Sequence, residues 1–283
     1  MLKTRIITAL ILLVGFAAVL FLASIDVFAL ILGFVVAAAA WEWSRLSGVR
    51  NEHAQTAFAA MAGLIALIGL YIPYNDHFMR WLLLPGFLFW LCVPALFYLA
   101  APKPVVSVLD GGRGQAIHRE TNSPLLAVGI FIFFMTALSL QSLRSFAPDA
   151  SSWLLLYALS IVWFMDIGAY FSGRRFGHRK LAPGISPGKT WEGVYGGLAV
   201  TGLLLLVVLL SADWADGNRF KLLVATVLAA AASVLGDLYE SRLKRAAGLK
   251  DSSQMLPGHG GVLDRIDGVV AAIPVFTFAW FWL

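Results

Sequence analysis

The chain has 283 residues, of which 60% are hydrophobic and only 13% are charged, and its mean hydropathy is +0.81. This composition excludes a soluble domain with one core and predicts an all-α polytopic integral membrane protein. No soluble basic domain carries the net charge of +5, so we expect anionic lipids and substrates as partners and no nucleic acid. The single cysteine, Cys92, excludes a disulfide within the chain.

Apolar segments recur along the whole chain, and a bilayer core about 30 Å thick needs roughly 20 apolar residues per helix. We therefore predict nine transmembrane helices, plus or minus one, in a single membrane domain over residues 1–283. Its N-terminal helices occupy 1–150 and its catalytic part 151–283. The second, eighth and ninth segments are short enough to be tilted, extended by their neighbours or partly re-entrant. The segments are 6–25, 27–41, 54–75, 81–102, 121–143, 150–173, 193–212, 222–236 and 268–283.

Basic residues set the expected orientation. If the N-terminus is cytoplasmic, 17 of the 21 Lys and Arg residues fall on the cytoplasmic side of a nine-helix arrangement. The N-terminal run of 20 uncharged residues is longer than a signal-peptide core, so we interpret it as a retained helix. We expect a multi-pass protein of the cytoplasmic or inner membrane, with its C-terminus outside and its polar loops cytoplasmic.

The sixth apolar segment contains Asp166 and leads into a polar stretch, 168–193. A carboxylate at membrane depth costs roughly 2.5 to 3.5 kcal/mol and tends to face a bundle interior or an aqueous cavity. The alternative is an interfacial residue near the end of its helix. Ser186, Lys189 and Thr190 offer two hydroxyls and an ammonium to a phosphate group, although this stretch is not a Walker loop.

Two glycines at the start of the seventh segment, Gly193 and Gly197, form a small-xxx-small pair. Such pairs let two helix backbones approach closely in a membrane. We interpret this pair as a helix-packing feature rather than as part of a binding site.

The most polar stretch of the second half, 241–268, lies between the eighth and ninth segments and holds five basic residues, three carboxylates and five glycines. A cytoplasmic loop made basic only by the topology rule is one interpretation. Against it, glycines let successive N–H groups face an anion, and Lys and Arg bind phosphate oxygens. Asp264, together with Asp237 just upstream, offers the oxygen ligands that Mg²⁺ prefers. The stretch therefore suits phosphoryl or nucleotidyl transfer.

Both polar stretches carry ordered motifs. One reads D-x-G-A-Y from Asp166 and K-L-A-P-x-I-S-P-x-K-T-x-E-G from Lys180. The other reads S-x-L-K-R from Ser241, K-D-x-S from Lys250 and L-P-x-H-G-G-V-x-D-R-I-D from Leu256. At these positions the sequence resembles the phosphatidate cytidylyltransferases, also called CDP-diacylglycerol synthases.

The resemblance implies a Mg²⁺-dependent nucleotidyltransferase of phospholipid biosynthesis. The implied reaction converts CTP and phosphatidic acid to CDP-diacylglycerol and pyrophosphate. Whether a second, monovalent cation binds and whether the chain forms a homodimer are left open. The implied catalytic residues are Asp237, Asp264, Lys244 and Arg265. The implied substrate-binding residues are Asp166, Ser186, Lys189, Thr190, Arg245, Lys250, His259, Gly260 and Gly261, and the implied metal ligands are Asp237, Asp264 and Asp267.

Several alternatives stay open at this point. Asp267 is either a third ligand or a residue that orients Arg265, and His259 is either a phosphate contact or a structural loop residue. The chain could also be an ion transporter in which Asp166 and Asp237 bind ions, another CTP-dependent transferase, or a lipid kinase using CTP. A cytidylyltransferase acts on a lipid in the bilayer and a nucleotide in water, so its site must lie near the cytoplasmic interface. We predict a lateral opening between helices.

Overall fold

Ten α-helices and one small β-hairpin make up the part of the chain that the structure describes. The computed structural model describes residues 2–72, 76–99, 121–145, 151–215, 217–256, 258 and 260–283. The helices are α1 (Leu2–Leu22), α2 (Ile25–Leu46), α3 (Glu52–Ile68), α4 (Asp76–Leu99), α5 (Ser123–Ser145), α6 (Ser151–Phe176), α7 (Trp191–Ser211), α8 (Arg219–Ala246), α9 (Leu263–Ile266) and α10 (Val269–Trp282). The strands are β1 (Lys180–Ala182) and β2 (Ser186–Thr190).

Each of the nine predicted segments corresponds to a helix, and α9 is the additional short one. Within the described residues, seven helices are long and apolar enough to cross a membrane, while α3 and Leu13–Leu22 of α1 are shorter apolar helices. The multi-helix membrane fold is therefore confirmed, and nine crossings stay a prediction. The predicted helix ends at residues 75 and 102 and the start at 150 lie outside the described residues.

The last helix, α10, lies at the centre of the bundle. It packs against α8, α5, α4 and α6, and its residues from Val269 to Phe281 are buried. A helix that is apolar on every side can be surrounded by other helices or by lipid, and α10, which carries no charged residue, is surrounded by other helices. This short segment is thus an enclosed core helix rather than an interfacial one.

Glycines bring α6 and α7 into close contact, as the sequence predicts for Gly193 and Gly197. A Cβ at Gly197 would lie 2.7 Å from the backbone oxygen of Met165, and one at Gly168 would lie 2.6 Å from that of Gly196. A Cβ at Gly193 would lie 3.0 Å from the backbone oxygen of Ala169. The close packing at the glycine pair is confirmed, although Gly193 also lines a cavity between α6 and α7.

The polar stretch 168–193 is more ordered than the sequence predicts. Helix α6 passes through Asp166 and ends only at Phe176, so the carboxylate does not end the helix. The hairpin β1–β2 follows, with Lys180 opposite Thr190 and Ala182 opposite Ser186. Its turn contains Pro183 and Gly184, and the Ile185 N–H donates to the Ala182 carbonyl at 3.1 Å. The predicted sixth segment, which ends at residue 173, agrees closely with α6, whereas the hairpin was not predicted.

Candidate active site

A cavity of about 480 Å³ lies between α6, the hairpin, α7 and α8. Helix α6 lines it with Asp166, Tyr170 and Arg174, and the hairpin contributes Lys189 and Thr190. Asp237 enters from α8. The structure thus brings together four predicted site residues, three from the first set of motifs and Asp237 from just upstream of the second.

Lys189 and Asp237 form an ion pair in this cavity. Both side chains are partly buried, with 24% and 31% of their surface exposed. The Ser241 hydroxyl, one turn further along α8, donates to the second oxygen of Asp237 at 3.2 Å. An ammonium held in a partly enclosed site interacts with phosphate oxygens more strongly than one in bulk water.

Three carboxylates concentrate negative charge at this end of α6, α8 and α10. Asp166, Asp237 and Asp267 lie near enough for their charges to act on one another, and Lys189 and Arg265 oppose the charge of Asp166. Such a set of oxygen atoms has the chemistry that Mg²⁺ prefers. Among the described residues, however, no three carboxylate, imidazole or thiol side chains converge on one point in a way that holds a metal ion.

Close backbone contact places Asp237 and Asp267 side by side. A Cβ at Gly236 would clash with the backbone carbonyl of Asp267 and would lie 2.9 Å from the Cβ of Ala271. The Asp267 carboxylate accepts a hydrogen bond from the Gly268 N–H at 2.7 Å. The contact of α8 with α10 therefore fixes two of the three predicted metal ligands as neighbours.

The base of the hairpin is held by the first turn of α7. Glu192 accepts hydrogen bonds from the His178 N–H at 3.1 Å and from the Arg179 Nε at 3.1 Å. This hydrogen bond to Glu192 raises the pKa of the exposed Arg179 guanidinium. The Thr190 hydroxyl accepts from the Gly193 N–H at 3.1 Å and caps α7. Thr190, a predicted substrate contact, therefore has a structural hydrogen bond as well as a place in the cavity wall.

A second charged cluster lies further along α8. Lys244 is 8% exposed and forms ion pairs with Glu240 at 2.6 Å and with Asp264 at 2.7 Å. Because two carboxylates share one ammonium, Lys244 neutralises the charge in this cluster only in part. The predicted catalytic residues Lys244 and Asp264 thus contact each other directly.

Asp264 is also the acceptor for the loop that precedes it. It accepts from the Ser252 N–H at 3.1 Å and from the Gly261 N–H at 2.8 Å. Gly260 has a φ of 84°, and a Cβ there would lie 2.9 Å from the Asp264 carboxylate. To bind a metal ion, Asp264 would first have to release Lys244 or one of these N–H donors.

The two clusters lie on one face of α8. Asp237, Ser241 and Lys244 follow one another at helical spacing, so their side chains point the same way. Helix α8 extends to Ala246, beyond the predicted end at residue 236. It carries one continuous polar stripe from the cavity to the loop 247–262.

The remaining predicted residues have different surroundings. Arg245 donates to the carbonyls of Ile185 at 3.4 Å and Leu249 at 3.2 Å, so it joins the hairpin turn to the end of α8. Ser186 lies on β2, while Lys250 and Arg265 are exposed. His259 lies outside the described residues.

Sequence reasoning missed Glu240, which belongs to the second cluster, and Ser252, which contacts Asp264. It also missed Glu42, which is connected to the cluster through Ser252. Glu42 is a carboxylate in an apolar helix, the same signal that identified Asp166 and Asp237. The predicted second segment ends at residue 41, one residue before Glu42, whereas α2 continues to Leu46. Glu42 was therefore not recognised as a carboxylate within a helix. Glu240 was missed because it directly precedes the polar stretch that starts at Ser241.

Fold and site together define a polytopic membrane protein with a charged cavity suited to a phosphate-bearing ligand. The chain belongs to the cytidylyltransferase family, whose model matches residues 3–283. It is 41% identical over 277 residues to the phosphatidate cytidylyltransferase of Pseudomonas aeruginosa, covering 98% of this chain and 96% of that protein. It is 36% identical over 298 residues to the phosphatidate cytidylyltransferase of Haemophilus influenzae, covering 100% of both chains. The predicted family is confirmed.

Proposed function

We propose that this protein transfers the cytidylyl group of CTP to phosphatidic acid, giving CDP-diacylglycerol and pyrophosphate in phospholipid biosynthesis. Membership in the cytidylyltransferase family supports nucleotidyl transfer rather than ion transport. The structural observation that supports it best is the cavity in which Lys189 of the first polar stretch meets Asp237, which lies just upstream of the second. A basic group for phosphate and carboxylates for a cation are both needed when two anionic substrates react.

In the reaction, an oxygen atom of the lipid phosphate attacks the α-phosphorus of CTP. A new phosphorus–oxygen bond forms, the bond between the α- and β-phosphates breaks, and pyrophosphate leaves with the electron pair. The lipid phosphate is already ionised near neutral pH, so no general base is required. The protein has to hold the two anions together and stabilise the charge of the leaving group. Lys189 lines the cavity, and we assign the exposed Lys250 and Arg265 to further phosphate contacts.

We further propose that activity depends on Mg²⁺, held by Asp237 and Asp267 and, after rearrangement of its present partners, by Asp264. The ion supplies a Lewis acid that neutralises phosphate oxygens. Asp237 and Asp267 are neighbours at the contact of α8 with α10, and their mutual repulsion would be relieved by a cation. Release of Asp237 from Lys189 would free both groups, one for the cation and one for a phosphate.

The proposed orientation places the cavity at the cytoplasmic ends of α6 and α8, with the N-terminus cytoplasmic and the C-terminus outside. The helix ends near the cavity are rich in basic residues, as expected for the inner side of a membrane. Tyr170 and Phe171 at this level of α6 are 58% and 66% exposed, which suits an opening toward lipid. Phosphatidic acid would enter sideways from the bilayer, and CTP would enter from water.

The direct test uses purified protein, CTP labelled at its α-phosphate and vesicles that contain phosphatidic acid. We expect label in a chloroform-extractable lipid only when phosphatidic acid and Mg²⁺ are both present. Label on the lipid from CTP carrying its label at the γ-phosphate would instead identify a lipid kinase. Absence of lipid label in every condition, with folded protein and intact vesicles, would refute the proposal.

A further inference from the structure

Glu42 of α2 has a fully buried side chain, with 0% of its surface exposed, in contact with the C-terminal motif. Its Oε2 accepts from the Ser252 hydroxyl at 2.8 Å and from the Leu263 N–H at 2.7 Å. Its Oε1 accepts from the Ser253 hydroxyl at 2.5 Å and from the Val262 N–H at 2.9 Å. None of these four donors is a cation.

This hydrogen-bond pattern requires an acceptor oxygen at both positions of the side chain. The backbone N–H groups of Val262 and Leu263 can donate but never accept, and each faces a different oxygen of Glu42. Hydrogen bonds to a carboxylate are roughly twice as strong as those between neutral groups, which offsets the cost of burying the charge. Helix α9 begins at Leu263 without a side-chain cap of its own, so Glu42 supplies acceptors for its first N–H groups.

Ser252 connects Glu42 to the charged cluster of α8. Its hydroxyl lies 2.8 Å from the Glu42 carboxylate and 3.0 Å from the Asp264 carboxylate, and its single hydrogen can serve one of them at a time. Its N–H donates to Asp264. One residue of the loop therefore contacts both carboxylates, and any shift of the loop at Glu42 is transmitted to Asp264.

The motif glycine at position 261 is explained by the same contact. A Cβ at Gly261 would lie 2.6 Å from both carboxylate oxygens of Glu42 and would clash with the Ser252 hydroxyl. The Gly261 N–H meanwhile donates to Asp264 at 2.8 Å. The loop can thus pass between Glu42 and Asp264 only because this residue has no side chain.

We propose that Glu42 is a positioning residue for the transfer reaction, an inference that rests on the proposed function. From α2 it holds Ser252, Ser253, Val262 and Leu263 in the positions that place Asp264 against Lys244. It acts through these residues and does not itself contact a substrate. The N-terminal half of the chain thereby contributes directly to the geometry of the site in the C-terminal half.

The test compares Glu42→Gln with Glu52→Gln, an identical change at an exposed position in the first turn of α3. In Glu42→Gln, either orientation of the new amide turns an NH₂ group toward one backbone N–H, so at least one hydrogen bond is lost. We expect the kcat of Glu42→Gln to fall about tenfold or more while the KM values for CTP and phosphatidic acid change less than about threefold. Glu52→Gln should keep the kinetic constants of the unaltered protein.

Hydrogen exchange read by mass spectrometry separates positioning from general damage. In Glu42→Gln, peptides covering 252–263 should exchange faster, whereas peptides from α5, α6 and α10 should exchange as in the unaltered protein. An unchanged kcat, or unchanged exchange over 252–263, would overturn the proposal. So would faster exchange throughout the protein, which would indicate a general loss of structure.

A second variant decides the question if Glu42→Gln does not accumulate in membranes. Ser253→Ala removes one donor to Glu42 without burying a new polar atom, and we expect a smaller change in the same two measurements. Kinetic constants and hydrogen exchange identical to those of the unaltered protein would overturn the proposal. If the unaltered protein forms no labelled lipid, the proposed function fails, and the exchange comparison still decides whether Glu42 holds the loop.

Discussion

Lys189 on β2 and Asp237 on α8 neutralise each other across the cavity. The pair joins the hairpin to the polar face of α8 and keeps both charges partly enclosed. A phosphate group that entered the cavity would compete with Asp237 for the ammonium, and Asp237 would then become available to a cation. In the proposed reaction, substrate binding therefore exchanges one ion pair for two new interactions.

Removing the ammonium of Lys189 should affect the reaction far more than removing an equal charge outside the cavity. We expect Lys189→Met to lower kcat/KM for CTP about a hundredfold or more, the loss typical of a buried contact to a charged phosphate. Lys180→Met, on β1 with an exposed side chain, is the matched control and should change it less than about threefold. Initial rates of lipid labelling measure both, and equal effects of the two changes would contradict a role for Lys189 in the cavity.

Asp264→Asn should leave the protein in the membrane but abolish most turnover. The amide nitrogen replaces either Oδ1, which accepts from Lys244, or Oδ2, which accepts from the Ser252 and Gly261 N–H groups, so we expect kcat to fall about a hundredfold or more. A titration of rate against Mg²⁺ concentration distinguishes two causes. A raised Mg²⁺ requirement indicates a metal ligand, whereas an unchanged requirement with lower kcat indicates a structural acceptor. Activity equal to that of the unaltered protein would rule out both roles.

Lys244 and Lys250 should differ in what they affect. Lys244→Met leaves Glu240 and Asp264 buried without their shared cation, which should cost about 3 kcal/mol or more of stability. Lys250 is exposed, so Lys250→Met should leave the melting temperature unchanged and instead raise the KM for CTP more than that for phosphatidic acid. Thermal unfolding in detergent and initial rates measure the two effects. A stable Lys244→Met protein would argue against the buried ion pairs.

The contact of α6 with α7 can be tested with two glycines of the same helix. Gly197→Ala places a methyl group against Met165 and should lower stability by about 1 to 3 kcal/mol, the usual cost of overpacking. Gly202→Ala meets no atom within 4 Å and should be neutral or stabilising, since Ala favours a helix by up to about 1 kcal/mol over Gly. Melting temperatures of the purified variants give the comparison. Similar effects of both changes would mean that the helices are not in close contact at Gly197.

The helices could be predicted from the sequence because the bilayer imposes their length directly. Backbone groups inside lipid must bond within the helix, so long apolar runs are a strong signal. The end of α8 is later than predicted because the predicted segment stops at residue 236, directly before Asp237, whereas α6 ends only three residues beyond the predicted residue 173. A polar residue does not break backbone hydrogen bonding, and the two helices continue past Asp166 and Asp237 to Phe176 and Ala246.

The residue types of the site could be predicted from the sequence, but not which residues contact each other. Charge, hydroxyl groups and glycines identified Lys189, Asp237 and Asp264, and the family resemblance gave them roles. Their partners depend on contacts between distant parts of the chain, which local patterns do not specify. The hairpin was missed for a related reason, because its two strands are only three and five residues long and carry no alternating pattern.

The hydrogen bonds of Glu42 also impose an order on biosynthesis. Its four donors lie 210 to 221 residues later in the chain, and translation proceeds from the N-terminus. Helix α2 therefore enters the membrane long before its carboxylate can meet Ser252 or Leu263, and during that interval Glu42 needs water or a proton. The reaction site can form only after these donors have been translated, so a nascent chain that has not yet reached Leu263 is inactive.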